Sequence, residues 1–329
     1  MRILAVDDSP LMQDLLPLLL ESDMVVHSAA SGREALRLLN GSELAFDCLL
    51  LDIEMPEMDG IELCRHIRAL PRYASTPIIM LTARTDGGAI EAAFAAGAND
   101  YILKNLSARS LNGRLRVAER LRAAPEIVRV GSQHLQAPRG THPFGYKDSI
   151  ALPSSEALID SFSLGNYLAQ LPRKDIQRSR IFGAQIHDFA SLYANTTTGE
   201  LTALLEQVAQ FLHSASEAPQ LLTSYEGSGT FICIARSSDL PSPNRMEARL
   251  SDYLNSLLPL TEPTQNISRM PAAVGAPVPP FSNKTQRVRK SLLRVRARLK
   301  ARCAQHEPRD SRFRYPLETV AAQVNASSI

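Results

Sequence analysis

Short apolar runs alternate with amphipathic stretches through the first third of the chain. Apolar residues dominate at 3–6, 24–27, 48–51, 77–81 and 100–103, and between these runs they recur at helical spacing. A run without polar alternation predicts a strand buried on both faces, and helical spacing predicts a helix that covers it. Five strands, each followed by a helix, therefore specify an α/β fold with a five-stranded parallel, doubly wound sheet.

Polar side chains stand where four of these strands end. They are Asp7 and Asp8 after the first strand, Asp52 after the third, Thr82 after the fourth and Lys104 after the fifth. In an open α/β sheet, ligands bind at the carboxyl ends of the strands. We therefore expect these side chains to share one crevice.

The residue types in this crevice indicate phosphoryl transfer. Three carboxylates repel one another unless a cation joins them, and oxygen ligands of this kind suit Mg²⁺. One carboxylate can then act as the nucleophile toward a phosphoryl group, whose oxygens a hydroxyl and an ammonium can hold. The pattern predicts transfer onto Asp52, with the metal and Lys104 offsetting the developing charge.

Residues 1–122 resemble a response-regulator receiver domain. The resemblance rests on Asp7-Asp8, on Asp52 within Asp-Ile-Glu-Met-Pro-Glu-Met-Asp-Gly, on Thr82-Ala83 and on Lys104. It implies a flavodoxin-like fold and a magnesium-dependent phosphoacceptor at Asp52.

The resemblance also implies roles for individual residues. Asp8 and Asp52 would hold Mg²⁺ with Asp7 nearby, and the backbone carbonyl of Glu54 would complete the protein ligands. Thr82 would swing toward the aspartyl phosphate, and Tyr101, at the family's aromatic switch position, would turn inward in response.

The sequence departs from the family after Lys104, where Asn105 replaces the usual proline. A cis bond before a residue other than proline costs several kcal/mol, so we expect a trans bond here. The departure leaves the placing of Lys104 and the adjacent surface open.

Residues 123–155, with several Pro, Gly and Ser, are typical of a linker. From residue 156 to 260 the pattern of strand, helix, hairpin, strand and helix predicts an α+β domain. This region resembles the GGDEF domain of diguanylate cyclases through Asp160-Ser-Phe-Ser, Asp188-Phe189, Val208-Ala209 and Ser224-Tyr225-Glu226.

The cyclase chemistry is missing from this second domain. The hairpin reads Gly227-Ser228-Gly229-Thr230-Phe231 without the two signature acids, and Gln185, His187 and Ala190 occupy the positions of two metal-binding acids and a lysine. The inhibitory Arg-x-x-Asp site is also absent from residues 218–221. Condensing two nucleoside triphosphates needs carboxylate-held Mg²⁺, so we expect no cyclase activity.

Residues 261–283 are rich in Pro, Ala and Ser and predict a flexible linker. Residues 284–302 contain nine Lys and Arg and no Asp or Glu, within a chain whose net charge is only +2. Within a basic, partly helical or disordered tail at 284–329, the segment from Lys284 to Arg302 fits nucleic acid, an anionic membrane or an acidic partner, or is simply solvated.

Chain length and cysteine positions indicate the number of domains and the cellular compartment. The 329 residues allow two domains, and none of the four cysteines forms a CxxC pair. Cys48 and Cys233 lie in apolar strand-like runs, which indicates reduced thiols and a reducing compartment. Because the sequence shows no signal peptide and no apolar run that spans a bilayer, we expect a cytoplasmic protein.

These features predict a two-component response regulator. A sensor histidine kinase or phosphotransfer protein would phosphorylate Asp52, and a catalytically inactive GGDEF-like domain would pass the signal to an unknown downstream protein, with a homodimer through the receiver domain as a further option. One alternative is a DNA-binding, transcription-regulating protein that uses the basic segment. Another is a cyclase-related enzyme with residual activity.

Overall fold

The computed structural model describes residues 1–41, 45–83, 87–123, 128–129, 138–152, 155, 157–257 and 270–306. Within these ranges the chain forms two sheets of different type, a parallel one and an antiparallel one, and a two-stranded ribbon. No helix in the described parts combines the length and the apolarity needed to cross a bilayer.

The first domain is a five-stranded parallel sheet in the order β2-β1-β3-β4-β5. Its core strands β3 and β4 are buried at every residue, as the continuous apolar runs predict. Helices cover both faces of this sheet. The elements are β1 (Arg2–Val6), α1 (Pro10–Leu19), β2 (Val25–Ala29), α2 (Gly32–Gly41), β3 (Cys48–Asp52), α3 (Gly60–Ala69), β4 (Ile78–Thr82), α4 (Gly87–Ala95), β5 (Asp100–Leu103) and α5 (Ala108–Ala123).

The second domain is built on a four-stranded antiparallel sheet in the order β11-β8-β10-β9. Helices α9 and α10 share a core with one face of this sheet, and α6 and α11 share a core with the other. The remaining elements are β6 (Val128–Arg129), β7 (Ile150–Ala151), α6 (Ser161–Gln170), α7 (Arg173–Ile176), β8 (Arg180–Ile186), α8 (Phe189–Asn195), α9 (Thr198–Ser216), β9 (Leu221–Tyr225), β10 (Thr230–Ala235), α10 (Pro243–Leu257), β11 (Ala272–Val274) and α11 (Arg287–His306).

Two segments that the sequence predicts as linkers contribute to this second domain. Within 261–283, Ala272 to Val274 form the edge strand β11, and Val278 makes a bridge to Ile181 of β8. Within 123–155, Phe144 and Ile150 are buried in the core under α9. The linker prediction was wrong for these parts, because three-residue strands and single buried anchors leave no sustained period in a sequence.

The basic segment is also more ordered than predicted. Helix α11 lies across β8, and its Val295 and Leu299 are buried at 1% and 4% exposure. A Cβ atom on Gly183 of β8 would lie 3.0 Å from the Leu299 side chain, so the missing side chain makes room for the helix. Residues 307–329, the remainder of the predicted tail, lie outside the described residues.

The two domains share one hydrophobic core. Ile90 and Phe94 of α4 belong to the same buried cluster as Leu164 and Tyr167 of α6. The second domain therefore packs directly on the α4 and β5 side of the first domain.

Replacing Leu299 by Ala tests whether α11 is docked or solvated. Truncating a buried Leu costs about 2–5 kcal/mol of unfolding free energy, so we expect a loss of that size in urea denaturation. Leu293→Ala on the same helix is the matched control, because Leu293 is 65% exposed and such a change costs less than about 0.5 kcal/mol. Equal effects of the two substitutions would contradict the docked position.

Candidate phosphoryl-transfer site

Three carboxylates and one ammonium meet at the carboxyl edge of the parallel sheet. Asp7 and Asp8 follow β1, Asp52 ends β3 and Lys104 follows β5. The Nζ atom of Lys104 lies 2.9 Å from Oδ2 of Asp7 and 2.8 Å from Oδ2 of Asp52. Asp7 and Asp52 are both 1% exposed, whereas Asp8 faces solvent. The crevice thus has a buried floor and one open side.

Backbone groups fix the two buried carboxylates. The N–H of Ser9 donates to Oδ1 of Asp7 at 3.0 Å, and the N–H of Glu54 donates to Oδ1 of Asp52 at 3.3 Å. The Gln13 side chain of α1 donates to the carbonyl oxygen of Asp7 at 2.9 Å. These contacts aim the other carboxylate oxygen of each Asp at the crevice. The Glu54 side chain is exposed, and the role of its carbonyl as a metal ligand stays a prediction.

The charges in the crevice are out of balance. Burial raises the pKa of the Asp52 carboxyl above its ordinary value, and the neighbouring charge of Asp7 adds to this, while Lys104 opposes both. Burial by itself would lower the pKa of Lys104, but its hydrogen bonds to Asp52 and Asp7 outweigh burial and raise it. The Asp52 shift therefore comes chiefly from burial, whereas the Lys104 shift comes from its hydrogen bonds to two carboxylates.

The same residues fit a divalent cation. One carboxylate oxygen from each of Asp7, Asp8 and Asp52 can be chosen so that all three lie within 4.8 Å of one another. Hard oxygen donors with one solvent-exposed member suit Mg²⁺, which keeps several of its waters. Among the described residues this is the one group of three or more side chains with such spacing.

Thr82 and Tyr101 lie on the two neighbouring strands. Thr82 ends β4 and is fully buried, and its carbonyl oxygen accepts from the N–H of Lys104 at 2.8 Å. Tyr101 of β5 is 6% exposed, and burial raises its pKa to about 12. Its ring meets Phe94 of α4 edge to face, with 6.2 Å between the centroids. The structure therefore brings Asp7, Asp8, Asp52 and Lys104 together at the carboxyl edge, with Thr82 at the end of the adjoining strand. Tyr101 pairs with Met80 further back in the sheet and is already packed inside, and the chemical roles of all these residues remain predictions.

Asn105 does not move Lys104 out of the crevice. The described residues contain no cis peptide bond, so the bond before Asn105 is trans, as its residue type predicts. Lys104 still reaches both buried carboxylates.

Gly60, the last residue of the acidic motif, is a further site residue. A Cβ atom at Gly60 would lie 1.9 Å from the carbonyl oxygen of Asp52, and its N–H donates to the carbonyl of Ile53 at 3.0 Å. The preceding Asp59 caps α3 by accepting from the N–H of Glu62 at 2.7 Å. The Asp-Gly pair at the end of the acidic motif is the signal for this close approach.

The first domain is similar in sequence to known receiver domains. Residues 3–116 match the family model described as the response regulator receiver domain. The chain is 39% identical over 117 residues to the signal transduction histidine-protein kinase BarA of Escherichia coli K12, which is 35% of this chain but only 12% of BarA. It is 31% identical over 190 residues to the transcriptional regulatory protein SrrA of Staphylococcus aureus NCTC 8325, which is 55% of this chain and 75% of SrrA.

A solved structure also matches the first domain. It is the receiver domain of the sensor histidine kinase PA1611 from Pseudomonas aeruginosa PAO1, with a magnesium ion coordinated in the active site cleft of that protein. The match is 32% identical, covers 37% of this chain and 98% of that one, and has a TM-score of 0.33.

Substitution of Gly60 by Ala tests the close approach to Asp52. The new methyl group collides with backbone, and overpacking of this kind costs about 1–3 kcal/mol of unfolding free energy. We also expect Mg²⁺ binding to weaken, because the Asp52 backbone must shift. Gly113→Ala is the control, since nothing lies within 4 Å of a Cβ there and the change to Ala within helix α5 stabilises by about 0.5–1 kcal/mol. Urea denaturation and magnesium titration of both variants give the comparison.

Proposed function

This chain belongs to the response regulators, with its receiver domain at residues 3–116, and on that premise we propose that Asp52 accepts a phosphoryl group from a histidine kinase or phosphotransfer protein. The observation that carries the proposal is the position of Asp52, buried beside Lys104 yet next to the solvent-facing Asp8. A phosphodonor reaches the carboxylate only from that open side.

The residues of the crevice divide the chemistry among them. An Asp52 oxygen forms the new bond to phosphorus while the bond from phosphorus to the donor's imidazole nitrogen breaks, and the electron pair stays with that nitrogen. Lys104, already within hydrogen-bond distance of Asp52, neutralises an oxygen of the transferred group. Asp7, Asp8 and Asp52, with the Glu54 carbonyl, would hold Mg²⁺, which supplies the positive charge that phosphoryl transfer requires.

Asp52→Asn tests the phosphoacceptor. The amide keeps the shape of the side chain but cannot attack phosphorus, so we expect no covalent phosphate after incubation with acetyl phosphate and Mg²⁺, measured by intact-protein mass spectrometry. Asp14→Asn on the exposed face of α1 is the matched control and should be phosphorylated like the wild type. An equal level of phosphate on Asp52→Asn, or none on the wild type under any magnesium concentration, would defeat the proposal.

We further propose that the output leaves through the contact between α4, β5 and α6. Phe94 is fully buried at this contact and meets two tyrosines edge to face, Tyr101 of β5 at 6.2 Å and Tyr167 of α6 at 5.6 Å. The three rings thus link the predicted switch residue to the second domain by direct packing. A change in the position of the Tyr101 ring would therefore alter the packing of Phe94 against Tyr167.

Polar contacts surround these rings. The Tyr167 hydroxyl donates to Glu91 of α4, and Gln170 of α6 donates to Asp100 of β5. Asn99, which precedes β5, donates to Asp160 at the start of α6 at 3.1 Å. Each bond joins an element of the receiver domain to α6, so a shift of α4 or β5 breaks several at once.

Phosphorylation would act on this contact through Thr82. A phosphoryl group on Asp52 attracts the Thr82 hydroxyl, which vacates space beside Tyr101 and biases the face between two arrangements. In the arrangement seen here α6 covers the face. A receiver homodimer, or a downstream protein, that used the same face would have to displace α6 first.

The second domain is proposed as a GGDEF-like interaction module rather than a cyclase. Its antiparallel order β11-β8-β10-β9 suits that fold, but Gln185 stands where the family has a metal ligand. The side-chain oxygen Oε1 of Gln185 accepts from the thiol of Cys303 of α11 at 3.1 Å. The side-chain Nε2 of Gln185 donates to the backbone carbonyl of Ser228 at 3.5 Å. Neutral side chains satisfied in this way cannot replace carboxylates around triphosphate-bound metal.

Hydrogen exchange tests the route from Asp52 to α6. With beryllofluoride and Mg²⁺ as the phosphate mimic, we expect faster amide exchange in α6 (Ser161–Gln170), because its bonds to Glu91 and Asp100 loosen. Helix α10 (Pro243–Leu257), which packs on α9 and β11, is the internal control and should not change. No change in α6 while the mimic is bound, or the same change in Asp52→Asn, would rule out this route and leave the phosphoacceptor proposal standing.

A further inference from the structure

The outward half of α11 is a strongly basic surface. The helix has 20 residues and is about 30 Å long at ~1.5 Å per residue. It contains six Arg, two Lys and no Asp or Glu. Two of the arginines are neutralised within the chain, Arg296 by Glu226 at 2.7 Å and Arg302 by Glu247 at 2.9 Å.

Five other cations of α11 face solvent, and one of them, Lys290, lies over the Phe281 ring. Arg289, Arg294, Arg298 and Lys300 are exposed and form no ion pair in the described part of the chain. Burial of Val295 and Leu299 against β8 fixes the helix, so these charges are held in a constant array rather than on a solvated tail. Clustered like charges destabilise a folded chain, and an anionic ligand would relieve that repulsion.

The array has a regular shape. At 100° per residue, Leu293, Ala297, Ala301 and Ala304 form the crest that points away from the protein, and all four are exposed. Lys290 projects from the same crest, but its ammonium lies over the Phe281 ring, 4.7 Å from the centroid. Arg289 and Lys300 lie along one side of this crest, while Arg294 and Arg298 lie along the other. Two rows of cations therefore flank a narrow ridge of mostly small side chains.

This shape excludes a membrane as the favoured ligand. An amphipathic helix binds a bilayer by burying its apolar face, and the apolar face of α11 is already used against β8. Leu293, at 65% exposure, is the one large apolar side chain exposed on the helix. Protein interfaces also need buried aromatic or aliphatic anchors at their centre, and a single Leu offers little of that kind.

We propose that α11 binds duplex DNA, with its crest in the major groove and its two cation rows on the phosphates at either side. The major groove of B-DNA is about 12 Å wide and admits one α-helix, and a ridge of Ala and Leu allows close entry. Arg predominates over Lys, which suits bidentate contacts to phosphate oxygens. The groove of duplex RNA is too deep and narrow for the same fit.

Binding of the full-length protein to a fluorescent mixed-sequence duplex, measured by anisotropy across a salt series, tests this proposal. The triple variant Arg289→Gln, Arg294→Gln and Arg298→Gln should bind more weakly, and the slope of log affinity against log salt should fall by about 3, one unit for each phosphate contact removed. The control triple variant Arg37→Gln, Arg120→Gln and Lys147→Gln removes equal charge from exposed positions elsewhere and should keep the slope of the wild type.

The measurements distinguish DNA binding by α11 from a general effect of charge and from a loss of folding. Thermal melting of both triple variants within a few degrees of the wild type shows that folding is intact, since all the changed residues are exposed. Equal losses in the two variants, no binding by the wild type at low salt, or equally tight binding to duplex RNA, polyglutamate or anionic vesicles would each overturn the proposal. None of these results bears on phosphorylation of Asp52.

Discussion

The structure depends on an electrostatic imbalance at the edge of the parallel sheet. Asp7 and Asp52 are buried side by side, with Asp8 close by, and among the described residues Lys104 is the one cation that contacts the buried pair. Parallel topology forces this arrangement, because all five strands point the same way and their carboxyl ends meet. Burial is the main cause that raises the pKa of Asp52, and hydrogen bonds to the two carboxylates raise the pKa of Lys104. A site with more carboxylates than cations favours a divalent metal ion, which would offset the charge of the phosphoryl group in the proposed transfer.

The receiver site could be predicted from sequence because its parts are local. Asp52 ends an apolar run, and Thr82 and Lys104 end two others, so strand order and residue type together place them. The trans bond before Asn105 follows from residue type as well. Gly60 was harder to interpret, since its close approach to the Asp52 carbonyl depends on how the loop after β3 folds back.

The second domain and the contact between domains were less predictable for physical reasons. Strand β11 is three residues long and sits among prolines, so it has no period to detect. In α11 eight Lys and Arg accompany only five Val and Leu, and the depth at which Val295 and Leu299 are buried is what shows that the helix is docked. The packing of Phe94 against Tyr167 joins residues 73 positions apart, and no local pattern in either helix identifies the other as its partner.

The contact that joins the domains combines contributions that stabilise it with others that destabilise it. The three aromatic rings bury a large apolar area, which stabilises the closed arrangement. Glu91 and Asp100 are buried in the same contact, and burial raises the pKa of both carboxyls, which means that their charged forms are held at a cost. Tyr167 and Arg236 offset part of this cost for Glu91, and Arg114 and Gln170 do so for Asp100. A purely apolar contact of this size would stay closed whatever happened at Asp52. Two desolvated acids lower the stability of the contact, so that on the route proposed above a bias of a few kcal/mol from Asp52 would be enough to shift the population.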